Sequence, residues 1–292
     1  MGNEELVKIA FIGGSGLYEV EGIENVIEKS IDTPFGKPSD SIVIGTINGI
    51  RCAFLPRHAR GHIYTPAEIN QRANMWALKS LGVEQIVAFT ACGSLKESLK
   101  PKDFVIPDQV FDRTKNRINS FFGEGIVVHI SMAHPFCNGL RDIIHKSVAD
   151  LGIIHHFGGT YICIDGPQFS TKAESLVNKN LGFSVVGMTA IPEAKLAREA
   201  EMCYANVSLV TDFDAWKEGE EVTNDAVIEV VKANVANSKR IIKDIVSRLN
   251  ERHADCPCRH SLKTSLMTDP KKIVESAHYK KVSLFIDKYF KK

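Results

Sequence analysis

Short apolar runs rich in β-branched residues recur along the chain at 7–12, 41–44, 52–55, 85–89, 104–106, 161–164, 185–187 and 203–210, each ending at a glycine or a polar turn. They run apolar without alternation, so they predict strands of a sheet buried on both faces. Between several of them lie helical patterns over 65–81, 135–151, 171–181, 190–200 and 223–249. The first opens Thr65-Pro66-Ala67-Glu68, which predicts Thr65 as N-cap, Pro66 at the first helical position and Glu68 closing a capping box. Strands alternating with helices predict an α/β layered domain around a mostly parallel or mixed sheet. No repeat, low-complexity segment or linker interrupts the pattern before about residue 250. Over 271–292 many lysines are interleaved with Ile273, Val274, Val282, Leu284, Phe285 and Phe290, predicting a basic amphipathic helix docked on its own domain or on a neighbour. The expected division is a domain over 1–250 and a C-terminal extension over 251–292.

Composition narrows the classes. The 292 residues carry a net charge of only +1 and are 44% hydrophobic, so no global field draws in nucleic acid and a full core can be buried. No apolar run approaches the roughly 20 residues of a membrane span, and the polar start at 1–5 does not resemble a signal peptide. Of seven cysteines, Cys52, Cys92, Cys137, Cys163 and Cys203 sit singly in apolar contexts, the pattern of reduced core thiols, and a cytoplasmic setting is expected. Cys256-Pro257-Cys258 departs from the Cys-x-x-Cys spacing of zinc and redox sites and is expected to hold two simple thiols.

In an open α/β sheet the ligand sits beyond the carboxyl ends of the strands. Gly13-Gly14-Ser15-Gly16 follows the first strand, but Glu19 replaces the third glycine of a dinucleotide fingerprint and no Gly-Lys-Ser/Thr is present. Pro56-Arg57-His58-Ala59-Arg60-Gly61-His62 supplies a guanidinium fork and a possible second donor in His58, without the Glu of a zincin helix. Thr90-Ala91-Cys92-Gly93-Ser94 and Gly187-Met188-Thr189 add hydroxyls and small residues, the second just before a helix. Four anion-friendly strand ends point to one oxyanion, most simply inorganic phosphate. The last strand ends in Thr211-Asp212-Phe213-Asp214. Two carboxylates there suit a metal clamp, an acid/base pair or the readout of a polar ring; a phosphate held by donors needs no cation, so no metal is expected.

These motifs, together with the 33–40 run Thr-Pro-Phe-Gly-Lys-Pro-Ser-Asp and Glu193 in Met188-Thr189-Ala190-Ile191-Pro192-Glu193, resemble the purine nucleoside phosphorylase superfamily, most closely its methylthioadenosine-cleaving branch. The likeness runs from about residue 7 to 249. It implies a three-layer α/β/α sandwich with a central mixed sheet. It also implies phosphorolysis of 5'-methylthioadenosine to adenine and 5-methylthioribose 1-phosphate, with no cofactor beyond phosphate as co-substrate and a trimer or dimer of trimers. By the same resemblance Ser15, Arg57, His58, Thr90, Ala91 and Thr189 bind phosphate, Met188 packs on the ribose, Phe169 and its neighbour Ser170 border the purine, and Val227 faces the methylthio group. Asp212 and Asp214 read the base, and His129 is lent to the neighbouring subunit. Gly187 stands where animal members have Asn and receives no role. Cys256 and Cys258 match a pair that forms a disulfide in some microbial members. From this follows an expected mechanism: Asp212, its pKa raised by burial and a second carboxylate, protonates N7, while ionised Asp214 accepts from the 6-amino group. A 6-oxopurine phosphorylase, a silent nucleoside-binding protein and a water-using nucleosidase fit these residues less well.

Overall fold

The computed structural model describes residues 6–14, 17, 22–219, 224–249 and 256–290. Strands β1 (Ile9–Gly13), β2 (Glu24–Lys29), β3 (Ile42–Ile47), β4 (Ile50–Pro56), β5 (Gln85–Ser94), β6 (Phe104–Ile106), β7 (Gln109–Asp112), β8 (His155–Phe157), β9 (Thr160–Cys163), β10 (Val185–Gly187) and β11 (Cys203–Asp212) form one mixed sheet. Helices α1 (Gln71–Ser80), α2 (Asn138–Asp150), α3 (Lys172–Asn180), α4 (Ala190–Glu199) and α5 (Asn224–Arg248) are interspersed with them.

The unbroken apolar runs have their cause in two cores. Alternate residues of one strand serve opposite faces: Ala10 and Ile12 of β1 join Met75 and Leu78 of α1 and Ala194 and Leu196 of α4, whereas Ile9 and Phe11 join Leu140 and Ile144 of α2 and Ile241 and Ile245 of α5. Helices thus cover both faces, giving the α/β/α sandwich. Three strands carry no apolar run and escape the sequence reading. β2 is almost wholly exposed and, among the described residues, pairs only with β3, while β7 and β8 are short edge strands on β9 and β6.

β5 opens the sheet. It pairs in parallel with β1 as far as Ala88, then antiparallel with β10 at Gly93 and Ser94, and with β11 along its other edge. Residues 89–92 have no strand partner on the first edge among the described residues, which leaves a gap where the topology switches. The expected loop Thr90–Ser94 is therefore strand, displayed at that gap. β11 also outruns its expected end, and a register shift between Val210 and Asp212 re-aims its last residues.

Two helix expectations need correction. Thr65 and Glu68 do bond, with the Thr65 hydroxyl donating to Glu68 at 2.7 Å, but they close an isolated turn. Buried Ile69 then turns inward, and α1 starts at Gln71 with Asn70 as its cap, accepting from Ala73 N. By contrast Thr171 and Glu174 form a full capping box on α3. The basic tail is two short helices, α6 (Pro270–Glu275) and α7 (Tyr279–Ile286), broken at Ser276 by an extended backbone (ψ 136). It is no appendage: Cys256 and Cys258 enter the core under α2 and α5, and Leu262, Ile273, Val282, Phe285 and Ile286 enter the core under α1 and α4.

Candidate active site

At the end of β4 the backbone N–H of Arg57 donates to Gly13 O (3.0 Å), joining the first two strand-end loops. Arg57 is 2% exposed, with Nε and Nη2 on the two oxygens of Glu193 (2.6 and 3.1 Å) and Nη1 on Phe89 O (2.9 Å). Burial opposes the guanidinium's charge, but the Glu193 carboxylate more than restores it and the net shift is upward. Glu193, wholly buried, also accepts from the Tyr204 hydroxyl (2.8 Å) and Gln71 (3.3 Å). A planar fork clamped in this way keeps further N–H groups for an anion.

His58 differs from its expected role. Its Nδ1 lies 2.8 Å from Tyr64 O, so Nδ1 carries the proton and donates to that carbonyl. Burial, then the Arg57 charge, push the ring down to about 4. At neutral pH its Nε2 is thus an acceptor, suited to a protonated oxygen of monohydrogen phosphate rather than to a bare one. Thr90 Oγ1 is held 3.1 Å from Asn206 Oδ1, and Thr189, 6% exposed, spends no side-chain bond on capping α4. Ile191 is extended (ψ 131), so the regular turns of α4 begin after it.

The two aspartates differ in their partners. Asp212 accepts from the Thr211 hydroxyl at Oδ2 (2.6 Å) and from Asp214 N at Oδ1 (2.7 Å). Asp214, 4% exposed and in the left-handed region (φ 49), has an Oδ2 with no hydrogen-bond partner among the described residues. Burial raises both carboxyls; the Thr211 hydroxyl and Asp214 N–H oppose it at Asp212, and the Ser175 and Ser170 hydroxyls oppose it at Asp214. Burial alone therefore does not separate an acid from a base here. What separates them is that both oxygens of Asp212 accept hydrogen bonds, whereas Asp214 Oδ2 has no donor at bonding distance among the described residues, the Ser170 and Ser175 hydroxyls standing near it and themselves unpartnered.

A cavity of about 880 Å³ collects these groups. Arg57, His58, Thr90, Ala91, Thr189, Met188, Phe169, Ser170, Asp212, Asp214 and Val227 all line it. Ser15 lies outside the described residues, although its neighbour Gly14 lines the cavity. His129 is exposed and is not part of the wall. Sequence reading overlooked three contributors. Glu193 stands out in the sequence only as part of a motif. Arg117 pins the strand-end loops together by donating to Met188 O and Ile191 O (both 2.7 Å) and to Asp165 O (2.7 Å), and a lone arginine in a loop carries no signal of that. The apolar wall on α5 includes Val231 and Val235 beside Val227, a spacing of four that was readable. At Gly187 a Cβ would overlap the Tyr161 hydroxyl, so the tyrosine occupies the space a side chain there would need.

Comparison with known proteins places this geometry. The sequence profile of the Phosphorylase superfamily matches residues 8–247. The S-methyl-5'-thioadenosine phosphorylase of Geobacter sulfurreducens is 47% identical over 283 residues, covering 96% of this chain and 98% of the relative. A crystal structure of a methylthioadenosine phosphorylase from an antarctic soil metagenomic library superposes with a TM-score of 0.92 at 44% identity, covering 96% of this chain and 99% of the other. A mutant adenosine/methylthioadenosine phosphorylase from Schistosoma mansoni, in complex with methylthioadenosine, superposes with a TM-score of 0.80 at 39% identity, covering 85% and 93%.

Proposed function

The chain belongs to the phosphorylase superfamily, and from that premise we propose that it phosphorolyses S-methyl-5'-thioadenosine to adenine and 5-methylthioribose 1-phosphate. The observation that carries this reading is one cavity walled by an anchored guanidinium, a pair of carboxyls of which Asp214 is buried and Asp212 half-buried, and an apolar helix face. Each suits one part of the substrates. Arg57, His58, Thr90, Ala91 and Thr189 hold phosphate, with Ser15 the remaining expected donor. Met188 and Phe169 pack on ribose and purine, Ser170 lies beside the base-reading carboxyl, and Val227, Val231 and Val235 accept a methylthio group that can satisfy no buried donor.

Breaking the glycosidic bond places positive charge on the sugar and negative charge on the departing ring. Asp212, raised by burial, donates its proton to N7 as the bond lengthens. Phosphate stabilises the sugar cation and captures C1' from the opposite face. Asp214 Oδ2 accepts from the 6-amino group, gaining the donor it lacks. Neither step calls for an organic cofactor or a metal. Exposed His129, beside Val127 at 48% exposure, is offered to the site of a neighbouring subunit in a homotrimer or a dimer of trimers. Seven free cysteines suit a cytoplasmic setting.

The test is base release from methylthioadenosine, adenosine, inosine and methylthioinosine, with and without phosphate. Adenine should appear from methylthioadenosine only when phosphate is present. Equal release in phosphate-free buffer would replace this reading with hydrolysis.

A further inference from the structure

Far apart in sequence, four of the seven cysteines converge. Cys137 is the N-cap residue of α2, where its side chain makes no capping bond, and Cys203 opens β11. Cys256 and Cys258 bracket Pro257 at the start of a 3-10 turn over 257–260. Their four Sγ atoms all lie within 4.8 Å of one another, and Cys137 and Cys256 are 3.6 Å apart. A tetrahedral zinc with Zn–S bonds of about 2.3 Å sets its sulfurs about 3.8 Å apart, so little movement separates this cluster from a closed coordination shell.

We propose that Cys137, Cys203, Cys256 and Cys258 form a structural zinc site, one ion per chain, separate from the catalytic cavity, whose walls include none of the four.

The chemistry of the donor set supports it. Four buried sulfurs and no oxygen or imidazole select a soft, tetrahedral ion over magnesium, calcium or manganese. Four thiolates around zinc leave a net charge of −2, and Arg198 Nη1 sits 3.3 Å from Cys258 Sγ to offset part of it. Arg198 is itself held by His134 O, and Ser261 Oγ bonds both Arg198 O (2.7 Å) and Cys258 O (3.1 Å), so this cation is fixed beside the sulfurs. Binding would release the thiol protons to solvent and form four Zn–S bonds, with no change of oxidation state. The Cys-x-Cys pair, unremarkable as a linear motif, acquires its two missing ligands only through the fold. Among the described residues no other group of His, Cys, Asp or Glu side chains is gathered closely enough to hold a metal.

The test uses untagged full-length protein purified under reducing conditions without added metal. Elemental analysis should find about one zinc per chain, released when the thiols are titrated with a mercurial. Cobalt exchanged into the site should give thiolate-to-metal absorption in the near ultraviolet and the intense visible bands of a tetrahedral ion. The double substitution Cys256→Ser/Cys258→Ser should lose the zinc and lower the melting temperature. Should that variant fail to fold, the metal content and cobalt spectrum of the unmodified chain still decide. Protein that holds less than a tenth of an equivalent of zinc and shows no cobalt bands overturns the proposal, whether intact mass then finds four free thiols or two disulfides.

Discussion

Single residues divide the labour of the cavity, and the division can be inverted. Asp214 tolerates Asn because Asn also adopts the left-handed region it occupies (φ 49). Asp214→Asn should shift preference from 6-amino toward 6-oxopurine nucleosides, and Asp212→Asn should lower turnover roughly 10²- to 10⁴-fold. Base release from methylthioadenosine and methylthioinosine checks both, and an unchanged adenine preference in Asp214→Asn would sink the assignment. Glu193 acts one layer back, on the Arg57 fork. In Glu193→Gln the KM for phosphate should rise on the order of tenfold while that for the nucleoside moves little; a variant that loses only stability contradicts the positioning role. Glu199 provides a pH signature. Burial raises it to about 7 against the opposing Phe121 N–H and Ser120 hydroxyl. Its folded pKa lies above the unfolded value, so the stability it contributes is full below about 4.5 and fades as pH climbs through 7. His58, depressed to about 4, works the other way and withdraws stability as pH falls from about 6.5. The two trends offset each other in mildly acidic buffer, so a variant is needed to see either. Glu199→Gln should gain on the parent by on the order of 2 kcal/mol between pH 5 and pH 8, read from denaturant midpoints; no relative gain rules out the buried titration. The donors at strand ends were legible because their residue types announce hydrogen-bond capacity. Glu193, Arg117 and the Gly187–Tyr161 contact were not, because their function lies in which buried partner they meet.

Elements were legible in proportion to how much of their surface is buried. Strands enclosed on both faces carry their signature in every residue, whereas β2 is held by backbone pairing with β3 and needs no apolar side chain to exist. The capping box expected at Thr65 is misplaced, and the one that caps a helix, Thr171 with Glu174, has the same Thr-x-x-Glu pattern, since such a pair closes a turn whether or not a helix follows. The residue that does begin α1 has two duties. Asn70 Oδ1 accepts from Ala73 N (3.2 Å) and its Nδ2 donates to Phe35 O (2.8 Å), tying the 33–40 run to the helix. Asn70→Ala should cost about 1–2 kcal/mol in urea unfolding, and Asn70→Asp, which keeps the cap and loses the tie, should fall between. Equal stability of all three would mean that neither bond matters.

On the scale of the whole molecule, the superfamily profile stops at 247, yet the core does not. Leu262, Ile273, Val282, Phe285 and Ile286 are all at most 2% exposed, and burying each is worth about 1.5–3 kcal/mol, together comparable with the entire stability of a typical domain. A chain ending at 249 should therefore be insoluble or lack a cooperative melting transition, as size-exclusion chromatography and calorimetry would reveal; a soluble, sharply melting 1–249 would show the C-terminal segment to be dispensable. The sequence places apolar residues in that segment but leaves open which surface they meet, because a lysine-rich amphipathic stretch reads alike whether it docks at home or on a partner. Its true address has a consequence for how the protein is born. β1 precedes the residues that seal the core above it by about 250 positions, so at roughly 5–20 residues per second the ribosome holds the two apart for on the order of tens of seconds. Through that interval the nascent sheet must wait with an apolar face uncovered, and the native state becomes reachable only once the stretch from Leu262 to Ile286 has been made.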